Sequence, residues 1–293
     1  MSIIVTHINA NGIVHAADTN LTDANGTHAG TGSKVFAIPR HDAGMTTAGT
    51  YAVGGVRMDD WLRSFISTDM TPSLADFVES LRATVDVAAS AHQKQAGYFF
   101  HIAGYQGNEG AQHPEFHHVT NYNLTPEGNY TVVSATLRSS EDFWSAHGNR
   151  SLANVFANRA GYIYCNGFPS GRQIYFDLLS RMATLRGQVW GNPAWQFRPP
   201  SSIAEEAEVL KLDMEHINLF FRQSNYSAPF IGGEIERSTL ESCTSRFSFF
   251  YAASVTPDRH GRSGGGACAI ESPTVETTVG IGEPLALRGI ASR

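Results

Sequence analysis

The tightest constraint on this chain lies in its first 38 residues. Two apolar runs, Ile3-Ile4-Val5-Thr6-His7-Ile8 and Ile13-Val14-His15-Ala16-Ala17, flank the stretch Asn9-Ala10-Asn11-Gly12. β-Branched residues suit a pleated surface, and Asn and Gly accept the positive φ of a tight turn. The pattern predicts a β-hairpin whose second strand closes at Asp18. A polar loop then leads to Gly30-Thr31-Gly32-Ser33, with a third strand expected over 34–38. Ser2, Asp18 and Lys34 fall sixteen residues apart in each step. With the three strands as neighbours, these side chains converge at one end of a sheet.

That trio has a chemical use if Met1 is removed. Ser2 is small enough for the initiator Met to be trimmed, which leaves one residue carrying both a hydroxyl and a free α-amine. A serine hydroxyl is a weak nucleophile and needs a base beside it. An α-amine titrates at about 7.7–8.0 and can be that base near neutral pH. A neighbouring ammonium lowers the amine's pKa further, and a carboxylate holds that ammonium in place. Lys34 and Asp18 suit those two roles. The chain has only three lysines, Lys34, Lys94 and Lys211, so a compact titratable cation here stands out against its many arginines.

Further along, strands are expected over 34–38 and 43–53, the latter ending in Gly54-Gly55. A helix follows from residue 57 with Trp61, Leu62, Phe65 and Ile66 on one face. Another runs from a Ser73 cap to about residue 93, with Leu74, Phe77, Val78, Leu81, Val85 and Ala88 inward. Residues 98–104, 115–122 and 130–137 read as short strands between Gly, Pro and Asn punctuation. Helices are expected near 150 and over 171–190, followed by a Pro-rich linker over 192–200. Ser202-x-x-Glu205 opens a helix to about residue 221. Residues 231–236 and 246–253 read as closing strands. Strands, then helices, then strands again fit two stacked sheets flanked by helices. One domain is expected over 1–255, with a Gly-, Ser-, Thr- and Pro-rich tail over 256–293 that reads as a mobile or extended arm.

The formal net charge of −6 argues against a nucleic-acid or anionic-membrane surface. No run of eighteen apolar residues and no secretory pattern occurs, so a cytoplasmic protein is expected. Cys165, Cys243 and Cys268 are widely spaced and form neither a disulfide framework nor a zinc pattern. His113-x-x-x-His117-His118 lacks a completing Cys or carboxylate cluster, so no metal is expected. Gly30-Thr31-Gly32-Ser33-Lys34 lacks the spacing and following helix of a phosphate loop.

The Ser2–Asp18–Lys34 spacing, with the later Thr47-Ala48-Gly49, resembles the proteasome β-subunit family of N-terminal-nucleophile (Ntn) hydrolases. It looks closest to the bacterial members that expose the nucleophile by losing Met alone. The matching block covers roughly residues 2–66. The resemblance implies an α+β fold, a four-layer αββα sandwich of two antiparallel sheets. It implies peptide-bond hydrolysis through an acyl-enzyme on Ser2, with no cofactor. It gives the oxyanion donor as the Gly49 N–H, with Gly54 the alternative if the register slips. Thr22 and Thr47 become candidates for binding an extended substrate and lining its first pocket. Ser145, Asn225 and Ser227 become candidate supports for the site. Peptide or protein substrates, a ring-shaped homo-oligomer and an ATPase partner are also implied. The chain departs from the family in having Ser for Thr, Ser145-Ala146-His147-Gly148 for a Ser-Gly-rich loop, and no Asp in Gln223-Ser224-Asn225-Tyr226-Ser227. Two other functions stay open: hydrolysis of a small non-peptide amide, and a silent structural or assembly protein that retains Met1. Lys34→Ala is expected to abolish turnover and leave the fold intact.

Overall fold

The computed structural model describes residues 2–9, 11–23, 27–106, 113–124, 130–132, 135–141, 162–167, 181–182, 184–185, 188–189, 200–223 and 234–241. The expected helix near 150, most of that over 171–190, the 192–199 linker, the 246–253 strand and the tail lie outside them. In chain order the elements are β1 (Ile3–Asn9), β2 (Gly12–Asp18), β3 (Asn20–Thr22), β4 (His28–Thr31), β5 (Val35–Ile38), a 3₁₀ turn (Pro39–His41), β6 (Ala43–Gly49), β7 (Ala52–Val53) and β8 (Val56–Arg57). Helices α1 (Met58–Ser67), α2 (Leu74–Ala88) and α3 (Ala91–Ala96) follow. Then come β9 (Tyr98–Gln106), β10 (His113–Thr120), β11 (Tyr122–Leu124), β12 (Tyr130–Val132), β13 (Arg138–Glu141) and β14 (Tyr162–Gly167), and finally α4 (Ile203–Gln223) and β15 (Ile235–Glu241).

The fold is mixed α+β with several antiparallel sheets. A four-stranded sheet runs β14-β1-β2-β15 and a five-stranded sheet runs β13-β10-β9-β6-β5. The predicted β1/β2 hairpin forms, pairing Ile4 with Ala17 and Asn9 with Gly12. Both its strands are buried almost throughout, which explains why their apolar residues run on instead of alternating. Ile3, Val5, Val14 and Ala16 pack against Ile203, Ala207, Leu210, Met214 and Ile217 of α4. Their alternates turn the other way. Ile4 and Ala17 meet Val35, Ala48 and Phe99, while Ile8 and Ile13 meet Ala103 and Phe116 of the five-stranded sheet. That sheet's outer face (Phe36, Met45, Phe100 and Ile102) carries α1 and α2 through Met58, Leu62, Phe77, Leu81 and Val85. Each fully buried Leu or Phe contributes about 1.5–3 kcal/mol, so these apolar faces dominate the stability of the arrangement.

Three expectations are corrected. The strand expected over 43–53 breaks at Gly49, whose φ is +94°. The Thr50 N–H turns to the Gly97 carbonyl (2.7 Å), and β7 pairs instead with β8 across Gly54-Gly55. The helix expected to reach residue 93 ends at Ala88, because Ser90 starts α3 with a capping box to Gln93. The loop before Gly30 carries a small hairpin, β3 with β4. Elsewhere the caps follow the sequence. Ser73 accepts from the Asp76 N–H, and Ser202 Oγ accepts from the Glu205 N–H at 3.2 Å, although Glu205 Oε2 reaches back to the Ser201 N–H rather than closing a box on Ser202.

Candidate active site

The inner cluster of Ile4, Ala17, Val35, Ala48 and Phe99 locates the site. Ser2 lies two residues before Ile4, Asp18 directly after Ala17, Lys34 directly before Val35, and Gly49 directly after Ala48. The four backbones therefore reach one end of the contact between the two sheets. Lys34 does not come from a strand beside β2, as the sequence suggested. It precedes β5 of the facing sheet, so the trio is assembled across the core rather than along one sheet.

Lys34 Nζ donates to Asp18 Oδ1 at 3.1 Å and to the Asn20 carbonyl at 2.6 Å. Both charged side chains are 0% exposed, so Lys34 is no solvated surface amine. Asp18 Oδ1 also accepts the Ile3 N–H at 2.7 Å, tying the carboxylate to the residue that follows Ser2. Asp18 Oδ2 is buried and makes no hydrogen bond among the described residues. Ser2 is itself buried. Burial pushes the Lys34 ammonium below its ordinary pKa, opposed by attraction to Asp18 and Glu236. Burial likewise raises Asp18, opposed by Lys34 and the Ile3 N–H. Desolvation thus outweighs attraction for both groups, leaving an ammonium that gives up its proton more readily than a surface lysine. An alanine at Lys34 would strand the buried carboxylate, so that variant is expected to lose stability along with any activity.

Gly49 is required by its backbone: at φ +94° an added Cβ would stand 2.4 Å from the Gly97 carbonyl oxygen. Thr47 is buried, donates its N–H to the Lys34 carbonyl at 3.0 Å, and has no hydrogen bond on Oγ1 among the described residues. Thr22 is half-buried at the end of β3, two residues beyond the Asn20 carbonyl that holds Lys34. Gly54 sits in the β7/β8 turn. Ser145, Asn225 and Ser227 lie outside the described residues.

Sequence reasoning missed Glu236. Its Oε2 accepts from the Lys34 N–H at 2.8 Å, Ser33 Oγ at 3.1 Å and the Val35 N–H at 3.3 Å. The Ile231-to-Glu236 stretch already read as a strand, but its pairing with β2 was not legible. The inner face also carries an unforeseen polar chain. Thr6 Oγ1 lies 3.0 Å from His15 Nδ1 and 3.3 Å from His101 Nδ1, and His101 Nε2 lies 2.5 Å from Asn166 Oδ1. With Asn166 Oδ1 accepting, His101 donates from Nε2, Thr6 donates to His101, and His15 donates to Thr6. Burial lowers the His15 pKa to about 4, with the Ala103 carbonyl opposing, so His15 is neutral at pH 7.

His117 Nε2 pairs with Glu115 Oε2 at 3.1 Å, and the His118 ring stacks on Phe99. Among the described residues, no three His, Cys, Asp or Glu side chains gather as a metal site would require. No described helix is long and apolar enough to cross a membrane. No protein-family model matches the chain, and none of the curated proteins matches it.

Proposed function

We propose that this chain is an N-terminal-nucleophile amidohydrolase that cleaves peptide bonds through Ser2 once Met1 is lost. The observation carrying this reading is the buried Lys34–Asp18 pair, linked by Asp18 Oδ1 to the Ile3 N–H beside Ser2. The finer architecture belongs to the same reading: α4, the four-stranded sheet, the five-stranded sheet and α1/α2 make the layers of an αββα sandwich.

The chemistry divides among the chain's own groups. The free Ser2 amine takes the hydroxyl proton as Oγ attacks the carbonyl carbon. Lys34 lowers the amine's proton affinity and stabilises the developing charge, while Asp18 fixes Lys34. Asp18 Oδ2, buried and without a hydrogen bond among the described residues, leaves an acceptor for a second donor such as the new amine. The Gly49 N–H is assigned to the oxyanion. The amine returns its proton to the leaving nitrogen as the C–N bond breaks. Water, deprotonated by the same amine, then hydrolyses the Ser2 ester. Thr22 and Thr47 flank the substrate groove in this reading.

The test is intact mass with and without a peptidyl epoxyketone, an electrophile that closes a ring only on a residue offering both hydroxyl and free α-amine. Loss of one Met and a single adduct, absent in Ser2→Ala, is expected. A chain that keeps Met1 and takes no adduct refutes the reading and leaves the silent scaffold.

A further inference from the structure

The segment entering β5 is fixed from several sides. Arg57 Nη2 donates to the Thr31 carbonyl (3.3 Å), and the Gly32 N–H donates to the Thr19 carbonyl (3.0 Å). Tyr51 OH donates to the Ser33 carbonyl at 2.6 Å, and its ring occupies the space a Gly32 side chain would need. Glu236, opposite Ala17 on β15, then collects the donors of Ser33, Lys34 and Val35 on one oxygen. The Thr47 N–H of β6 holds the Lys34 carbonyl, and Glu236 holds the Lys34 N–H. The Lys34 backbone is therefore set on its N–H side by a side chain that also brings a negative charge close to the ammonium.

We propose that Glu236 is a positioning residue for Lys34: its carboxylate gathers the 33–35 backbone so that the ammonium is delivered to Asp18, and its charge favours the protonated ammonium. The inference rests on Lys34 being the group that tunes the Ser2 amine. Asp18 faces Lys34 from β2 and Glu236 from β15. Tyr51 stands behind Ser33, its phenol kept neutral by burial and by Asp59, and the Arg57–Asp59 ion pair lies beyond it. Two carboxylates thus serve one ammonium. Burial opposes the charge on Lys34, and Glu236 is the second group, after Asp18, that restores it.

The test uses the full chain labelled with ¹³C-lysine, since only three lysines contribute signals. Glu236→Gln keeps an acceptor and removes the charge, whereas Glu236→Ala removes both. In Glu236→Gln the Lys34 resonance should titrate at lower pH than in the wild type, with Lys94 and Lys211 unmoved. In Glu236→Ala peptidase turnover should drop roughly 10- to 100-fold through misplacement of Lys34. A folded Glu236→Gln whose Lys34 titrates as in the wild type overturns the proposal. If Glu236→Ala fails to fold, the Gln variant still decides it. A shifted Lys34 titration in a protein without hydrolase activity upholds the role of Glu236 toward Lys34 and sinks only the hydrolase reading.

Discussion

Replacing Lys34 by methionine keeps most of its volume and deletes the ammonium, isolating the buried charge pair. The lost contacts are Asp18 Oδ1 at 3.1 Å and the Asn20 carbonyl at 2.6 Å, both inside the core. Removing one partner of a buried pair costs about 3–5 kcal/mol, because the other charge stays out of water without compensation. Asp18→Asn should cost a similar amount, while retaining an oxygen for the Ile3 N–H. The double variant leaves no stranded charge and should be more stable than the summed singles predict, by about 2 kcal/mol or more. Guanidinium midpoints at pH 7, with matching m values, measure the cycle.

A second reading of the same variant is its pH dependence. Without the ammonium, the already raised Asp18 climbs further. Between its unfolded value of about 3.9 and that raised folded value, the folded chain binds more protons than the unfolded one. Lys34→Met is therefore relatively most stable below about pH 4 and loses stability as pH rises through the folded pKa. Additive singles, or a Lys34→Met midpoint unchanged from the wild type, would refute the buried pair as the organising contact.

The remaining predictions concern the neighbouring backbone and the inner polar chain. Neutral His15 has a folded pKa of about 4, against 6.5 when exposed, so the unfolded chain takes up the extra proton as pH falls through that window. Stability from this residue is full above about 6.5 and declines by up to about 3 kcal/mol as pH falls toward 4. Thermal or urea unfolding of His15→Gln should lack that component; an unchanged pH slope would count against it. Gly49→Ala forces a side chain into positive φ and against the Gly97 carbonyl, and should lower stability by at least about 2 kcal/mol. An alanine variant as stable as the wild type would show that the backbone at Gly49 is not fixed there.

What could be read from the sequence follows from how local each interaction is. The β1/β2 hairpin and the faces of α1, α2 and α4 were legible because their signals lie within a few residues. The Ser90-x-x-Gln93 box was equally local, but the apolar periodicity continuing through Val85 and Ala88 hid the break. Lys34 could be singled out by its spacing, yet its approach from the opposite sheet was not legible. That placement depends on β5 pairing with β6 and on the stacking of two sheets. Glu236 is further removed, since its role exists only because β15 aligns Ile235 with Asp18 and Glu236 with Ala17.

The same non-local assembly explains why a charged pair is tolerated where burial disfavours it. The apolar residues Ile4, Ala17, Val35, Ala48 and Phe99 seal the inner face up to the last residue before each polar group. Water is excluded from Asp18 and Lys34 by that seal, so desolvation lowers the ammonium's hold on its proton. The Ile3 N–H and Asn20 carbonyl return enough hydrogen bonding to keep the pair in place. A fully solvated lysine would be a poor tuning group for an amine titrating near neutrality, because water and salt would screen its charge from that amine. Moving Lys34 to the surface would thus retain the residues and lose the chemistry. Enlarging the apolar seal would not offset the loss of Glu236, because the seal lowers the ammonium's proton affinity while Glu236 raises it. The site depends on that opposition.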